Sequence, residues 1–265
     1  MKLTWFDANS WLIEAGEKRV LIDPWLVGDL VFASVPWLVR GIRPQPVDIP
    51  QNIDLILLSQ GLADHAHPET LKQLNKSIPV VASPDGAEVA KAIGFQSVTA
   101  LEHGKTTHIE GDQDSKGLDI EAFMGAVVGP LKRENAYVLS FLLEDVRLYY
   151  EPHGYPDAEH LKAIEAVDVA ITPMADQTLL SVAPVIRGGI AAPQIAELLR
   201  PKVMLPTAEA GRVSYKGLIS PTLVTKGGAT DMRSRFASEG KSIRVIQPVS
   251  GETIELDLSS AVTVG

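Results

Sequence analysis

An apolar run, Leu55 to Leu58, ends abruptly in polar residues that continue to His67, and a helical pattern opens behind Pro68. Such a run is a buried strand delivering a loop of ligand-type side chains at its C-terminal end. In open sheets, strand ends of this sort are where sites are built. Two of the six histidines of the chain, His65 and His67, lie in this loop, with Asp64 beside them.

The same alternation runs through the rest of the chain. Residues 3–14 and 19–23 read as a β-hairpin closed by Asp23 and Pro24. From residue 53 the pattern gives strand 53–58, helix 68–76, strand 78–82, helix 86–93 and strand 97–100. Strands at 106–110 and 118–124 flank a polar loop at 111–117, and a hairpin at 136–143 and 146–150 ends in Glu151, Pro152, His153 and Gly154. Helix 157–165, strand 167–171, a long loop at 172–190, helix 191–200 and strand 202–205 follow. A helix near 230–239 and strands at 243–247 and 252–256 complete the pattern. Strands, then β/α units, then strands and β/α units again describe two sheets packed face to face with helices outside. The expected fold is α+β, a four-layer αββα sandwich, as one domain over residues 1–265.

Composition narrows the chemistry. With no cysteine, a metal must be held by His, Asp or Glu, which suits zinc or manganese rather than a sulfur-bound site. A net charge of −9 argues against a dedicated nucleic-acid binder but says little about small substrates; a small-molecule substrate or ligand is the expected partner. There is no apolar run long enough for a transmembrane helix and no signal-like start, so a cytoplasmic protein is expected. The stretch 25–39 is unusually apolar but broken by Gly28, Asp29 and Pro36, and reads equally as core or as a homodimer surface. Nucleotide-cradling glycine motifs and a Gly-x-Ser-x-Gly elbow are absent.

Several blocks, in order, match a family. Leu3 to Glu14, Val20 to Trp25, Ile56 to His65, Arg147 to Gly154 and Val203 to Glu209 resemble the metallo-β-lactamase fold. The similarity is to its branch of ascorbate-6-phosphate lactonase and related metal-dependent hydrolases. The resemblance implies hydrolysis of an ester, lactone or phosphoester. In that family a His-x-His-x-Asp-His run supplies ligands to two adjacent metals. Here Gln60 and Leu62 stand where its first two histidines fall, while Asp64 and His65 remain. The next family histidine should come near 124–128, where there is none. The bridging aspartate falls at His153, and the last histidine near Thr207.

The resemblance therefore leaves one metal position, with Asp64, His65 and His153 as expected ligands, and a degenerate site around it. Asp64, His67 and Glu151 are the expected catalytic groups, and Gln60 and Arg133 the expected substrate contacts. Arg133 is chosen because a guanidinium can clamp an anionic group bidentately. Arg187, Gly188 and Gly189 read either as a loop that closes over the cleft or as a plain connection. A metal-free alternative stands beside this one. Asp64 then caps backbone amides, His65 bonds a carbonyl, and the protein is an inactive fold relative that binds small molecules or proteins. His103, His108 and His160 are assigned no role.

Overall fold

In the computed structural model, which describes residues 1–32, 35–111, 116–128, 132–180 and 182–258, the strand Leu55–Leu58 is buried at all four positions. Leu55 and Leu57 face the cluster between the two large sheets, and Ile56 and Leu58 face the outer layer. Burying each such side chain contributes roughly 1.5–3 kcal/mol. Four of them outweigh the roughly 1–3 kcal/mol that an imperfectly satisfied polar group costs at the strand's end.

The first sheet runs in the order Thr253–Glu255, Lys2–Trp5, Trp11–Ala15, Lys18–Ile22, Leu55–Leu58, Val80–Ala82 and Val98–Ala100. The second runs Arg244–Val245, Val203–Leu205, Val169–Ile171, Val146–Tyr150, Lys132–Phe141, Leu118–Val128 and Thr106–Ile109. Each is antiparallel in its hairpin half. Each is parallel in its β/α half. The parallel strands 55–58 and 146–150 lie in different sheets, and both end at the candidate site.

Among the described residues, five α-helices supply the outer layers: α1 (Pro68–Gln73), α2 (Pro84–Ile93), α3 (Ala158–Leu161), α4 (Gly188–Leu199) and α5 (Ala229–Ser238). α1 and α2 place Leu71, Ala87 and Ala90 against Leu21, Ile56 and Val80 of the first sheet. α3, α4 and α5 place Leu161, Ile195 and Phe236 against Tyr149, Ala170 and Met204 of the second. This is the four-layer αββα sandwich. Among the described residues, no helix is long and apolar enough to cross a membrane.

The apolar stretch 25–39 divides. Trp25, Leu26 and Leu30 are core, whereas Trp37 is 66% exposed. Leu30–Val31, Arg40–Ile42 and Ser214–Lys216 form a small sheet over one end of the sandwich. Arg43 bolts it to the first hairpin. Its buried guanidinium donates to Asp7 Oδ2 at 2.8 Å and to the carbonyls of Phe6 and Trp25.

Three expectations about connections need correction. The segment expected as a loop at 172–190 holds a hairpin, Ala175–Leu179 with Ala183–Arg187, extended by Leu223–Gly227 into a third sheet. All its side chains but Ile186 lie half-buried or exposed, so no apolar alternation marked it in the sequence. Gly188 and Gly189 are the first turn of α4, not a closing loop. Gly188 has no room for a side chain, because a Cβ would lie 2.5 Å from the Ala175 carbonyl. Arg133 lies in the strand Lys132–Phe141 rather than in a loop. Residues 129–130, from which that loop was expected to extend, and 112–115 of the polar loop fall outside the described residues.

Candidate metal centre

Asp64, His65 and His153 converge. Each can place one ligand atom within 4.8 Å of the others. His65 and Asp64 come from the loop after Leu55–Leu58, and His153 from the turn after Val146–Tyr150. The two imidazole rings are 5.1 Å apart, centroid to centroid.

Each ring is held from behind by a buried carboxylate. His65 Nδ1 lies 2.7 Å from Asp23 Oδ2, and His153 Nδ1 lies 2.7 Å from Glu134 Oε2. An ionised carboxylate only accepts, so Nδ1 carries the proton in both rings. Nε2 is then the nitrogen left to face the site, which is the arrangement of a histidine oriented for metal binding. His65 Nε2 faces Asp64 Oδ2 at 3.3 Å and Asn9 Nδ2 at 3.4 Å. The other Asp64 oxygen, Oδ1, is buried without a hydrogen-bond partner among the described residues. A cation is the natural partner for a buried carboxylate oxygen left bare beside two oriented imidazoles. The donor set fits one divalent ion.

Asp23 sits at the end of Lys18–Ile22 with φ +43, a left-handed conformation that aspartate tolerates better than most residues. Its Oδ2 accepts from Ser59 Oγ at 2.6 Å and from the Tyr150 hydroxyl at 2.6 Å. Its Oδ1 accepts from the Ser59 amide at 2.7 Å. Asp23 thus joins the first sheet, the 59–67 loop and the second sheet at one point.

Glu134 does the corresponding work for His153. Gly125 and Ala126 together oppose Glu134, a β-bulge. Glu134 Oε1 accepts the Ala126 amide at 3.0 Å, while Oε2 takes His153 and, at 3.1 Å, Gln60 Nε2. Gly125 has to be glycine here, since a Cβ would lie 2.5 Å from Glu134 Cγ.

Electrostatics follow the contacts. Burial alone would lower the pKa of His65, but Asp64 and Asp23 outweigh it and hold the ring well above the usual histidine value. Burial opposes His153 likewise, and Glu134 raises it. Burial pushes Asp64 up, yet His65 and His153 bring it below the usual carboxylate value. Without a metal, the pair of imidazoles is therefore biased toward protonation.

A family model described as a beta-lactamase superfamily domain matches residues 2–208, most of the chain. This chain belongs to the beta-lactamase superfamily. Among curated relatives of this superfamily member, a UPF0173 metal-dependent hydrolase of Agrobacterium fabrum is 29% identical over 111 residues, 42% of this chain and 44% of that protein. The cytidine monophosphate-N-acetylneuraminic acid hydroxylase of Danio rerio is 34% identical over 77 residues, 29% of this chain and 13% of that protein. The chain thus spans less than half the length of these relatives. Among solved structures, an isothiocyanate hydrolase from Delia radicum gut bacteria superposes with a TM-score of 0.69 at 16% identity, covering 97% of this chain and 100% of that one. A metallo hydrolase from Ignicoccus hospitalis gives 0.67 at 16% identity, covering 97% and 99%. At these identities, the structural likeness shows the fold alone.

Other residues expected at the superfamily site are placed differently. His67 lies outside the Asp64, His65 and His153 group. Its Nδ1 accepts the Thr70 amide at 3.3 Å as the N-cap of α1, its Nε2 faces the Asp29 carbonyl at 3.3 Å, and its ring lies against Trp25. Burial lowers its pKa. Glu151 is likewise engaged by its own chain. It is fully buried, and its oxygens accept the amides of His153, Gly154 and Tyr155 and the Thr172 hydroxyl. It fixes the turn that carries His153. Burial and the nearby Glu134 push its pKa up to about 7, against the pull of those amides.

Gln60 is 1% exposed and braces Glu134 through Nε2, and its Oε1 has no partner among the described residues. Leu62 is exposed. Thr207 Oγ1 is occupied by Trp11 Nε1 at 3.0 Å and the Ala8 carbonyl at 3.2 Å. Sequence reasoning missed Asp23, Ser59, Glu134 and Tyr150. Glu134 carried a usable signal: it shares a strand face, at period two, with buried Ala136 and Val138.

Proposed function

We propose that this chain is a metal-dependent hydrolase that works with one divalent ion, zinc or manganese, held by Asp64, His65 and His153. The observation that carries the proposal is the pair of carboxylate-backed imidazoles facing a buried, unpartnered Asp64 oxygen. An ion held there supplies Lewis acidity, polarising a scissile group and making water a better nucleophile. The chain's own residues do the rest. Asp23 and Glu134 keep the protons of His65 and His153 on Nδ1, and Glu151 holds the His153 turn in place. Asp64 is kept ionised by its two histidines.

An ester, lactone or phosphoester of a small molecule is the substrate class this supports. A cleft of about 360 Å³, a size at the small end of ligand sites, is lined in part by Gly154, the residue after His153.

Metal analysis of protein purified without chelator and then offered zinc or manganese tests the proposal. About one equivalent should be retained by the natural chain and lost in the Asp64→Ala/His65→Ala variant. Retention below ~0.1 equivalent in the natural chain would end it, because a ligand set that cannot keep its metal is not a catalytic metal site.

A further inference from the structure

The cleft lined in part by Gly154 has a chemical character of its own. Arg133, Arg187, Tyr155 and Gln194 are among its lining residues. Arg187 is bolted to the metal turn, its amide donating to the His153 carbonyl at 3.0 Å. The two backbones meet so closely that a Cβ on Gly154 would lie 2.7 Å from the Arg187 carbonyl carbon. The Arg187 guanidinium lies over the Tyr155 ring, 5.3 Å from its centroid. Stacking fixes the plane of a guanidinium while leaving its edge N–H groups free to donate.

Among the described residues, neither Arg133 nor Arg187 lies within ion-pair distance of a carboxylate, although Asp157 and Glu159 line the same cleft. Asp157 is spent elsewhere, pairing with His160 at 2.8 Å and capping α3. Glu159 is exposed. Two uncompensated guanidinium groups in one concave site, one of them already oriented, make a receptor for an anion.

We propose that this cleft binds the anionic group, a carboxylate or phosphate ester, of a small organic molecule, with Arg133 and Arg187 as a two-sided clamp. That the bound molecule is also the substrate rests on the hydrolase reading; the binding itself does not.

Calorimetric titration of the full chain with benzoate, phenyl phosphate and neutral benzamide tests the clamp, with zinc retention measured on every variant. At least one anion should bind and benzamide should not, and the better anion identifies the group recognised. Arg133→Met should weaken that anion by about ten-fold or more. Arg187→Lys, which keeps the charge but loses the planar fork, should weaken it by several-fold. Glu159→Gln should strengthen it, because it removes an exposed negative charge from the same cleft.

Zinc retention unchanged in these variants shows that the His153 turn is intact and assigns the loss to the clamp. Benzamide binding as well as the anions, affinity unmoved by both arginine variants, or no anion binding tighter than about 10 mM would each overturn the proposal. Anion binding that persists in a chain unable to retain zinc upholds the clamp and removes the hydrolase reading instead.

Discussion

Near the end of the loop 59–67, histidines two residues apart are put to opposite uses. At the first the chain faces the seam between the sheets, and His65 meets a buried aspartate through Nδ1. At the second it turns outward to start α1, and His67 meets the amide and hydroxyl of Thr70. The carboxylates of Asp64 and Asp23 make His65 an oriented ligand with a raised pKa, whereas burial outweighs the Asp29 carbonyl and Glu69 and leaves His67 a cap with a lowered one. Histidine chemistry here is decided by the group behind the ring, not by its place in a motif.

That contrast can be broken most forcefully at His65. His65→Ala should reduce zinc affinity, measured by competition with a chromophoric chelator, by more than the ~100-fold upper range for losing an outer partner. His67→Ala should leave it unchanged. Equal losses in both variants would erase the distinction.

Glu134→Gln comes next. Its amide is expected to weaken zinc binding by about 10–100-fold, because it no longer guarantees an acceptor for the His153 proton. Wild-type affinity in that variant would show that His153 is not oriented from Glu134.

A pH series on metal-free protein sharpens the comparison, since the two histidines carry opposite signs. His65, raised in the fold, stabilises fully below its unfolded pKa of about 6.5, and that stability is lost as pH rises through its folded value. His67, lowered in the fold, contributes stability that is present above about pH 6.5 and lost as pH falls through its folded value. Urea midpoints across pH 5–8 on the two alanine variants should therefore shift the profile in opposite directions. Shifts of the same sign would contradict the assignment. Zinc-loaded protein should gain stability with rising pH, because protons compete for the ligands.

The smallest effect belongs to the cap. His67→Ala should cost on the order of 1 kcal/mol in thermal or urea unfolding, the usual worth of an N-cap.

The fold was legible where burial and periodicity agree. Leu55–Leu58 announced a buried strand, and Pro68 announced the helix behind its loop. The convergence of Asp64, His65 and His153 was legible only through resemblance, because nothing local places residue 153 beside residue 65. His67 misled because a capping histidine and a ligating one look alike in sequence. Glu151 misled in the same way: a carboxylate at a strand end reads as a base until its amide donors are seen. Glu134 was hidden among the polar residues Arg133 and Asn135 in a segment read as loop. The hairpin 175–187 escaped because its half-exposed strands carry no apolar period.

The strand Thr253–Glu255 closes the first sheet by pairing with Lys2–Trp5. During synthesis, that edge of the first hairpin waits, with bare backbone donors and acceptors, until residues some 250 positions later have been made. Pairings so distant in sequence are slow to form, and an open edge in the meantime is a template for other chains. Among the described residues, the sheet carrying Asp23, Asp64 and His65 therefore takes its final strand from Thr253–Glu255, later in the chain than Arg244–Val245, the latest strand of the second sheet.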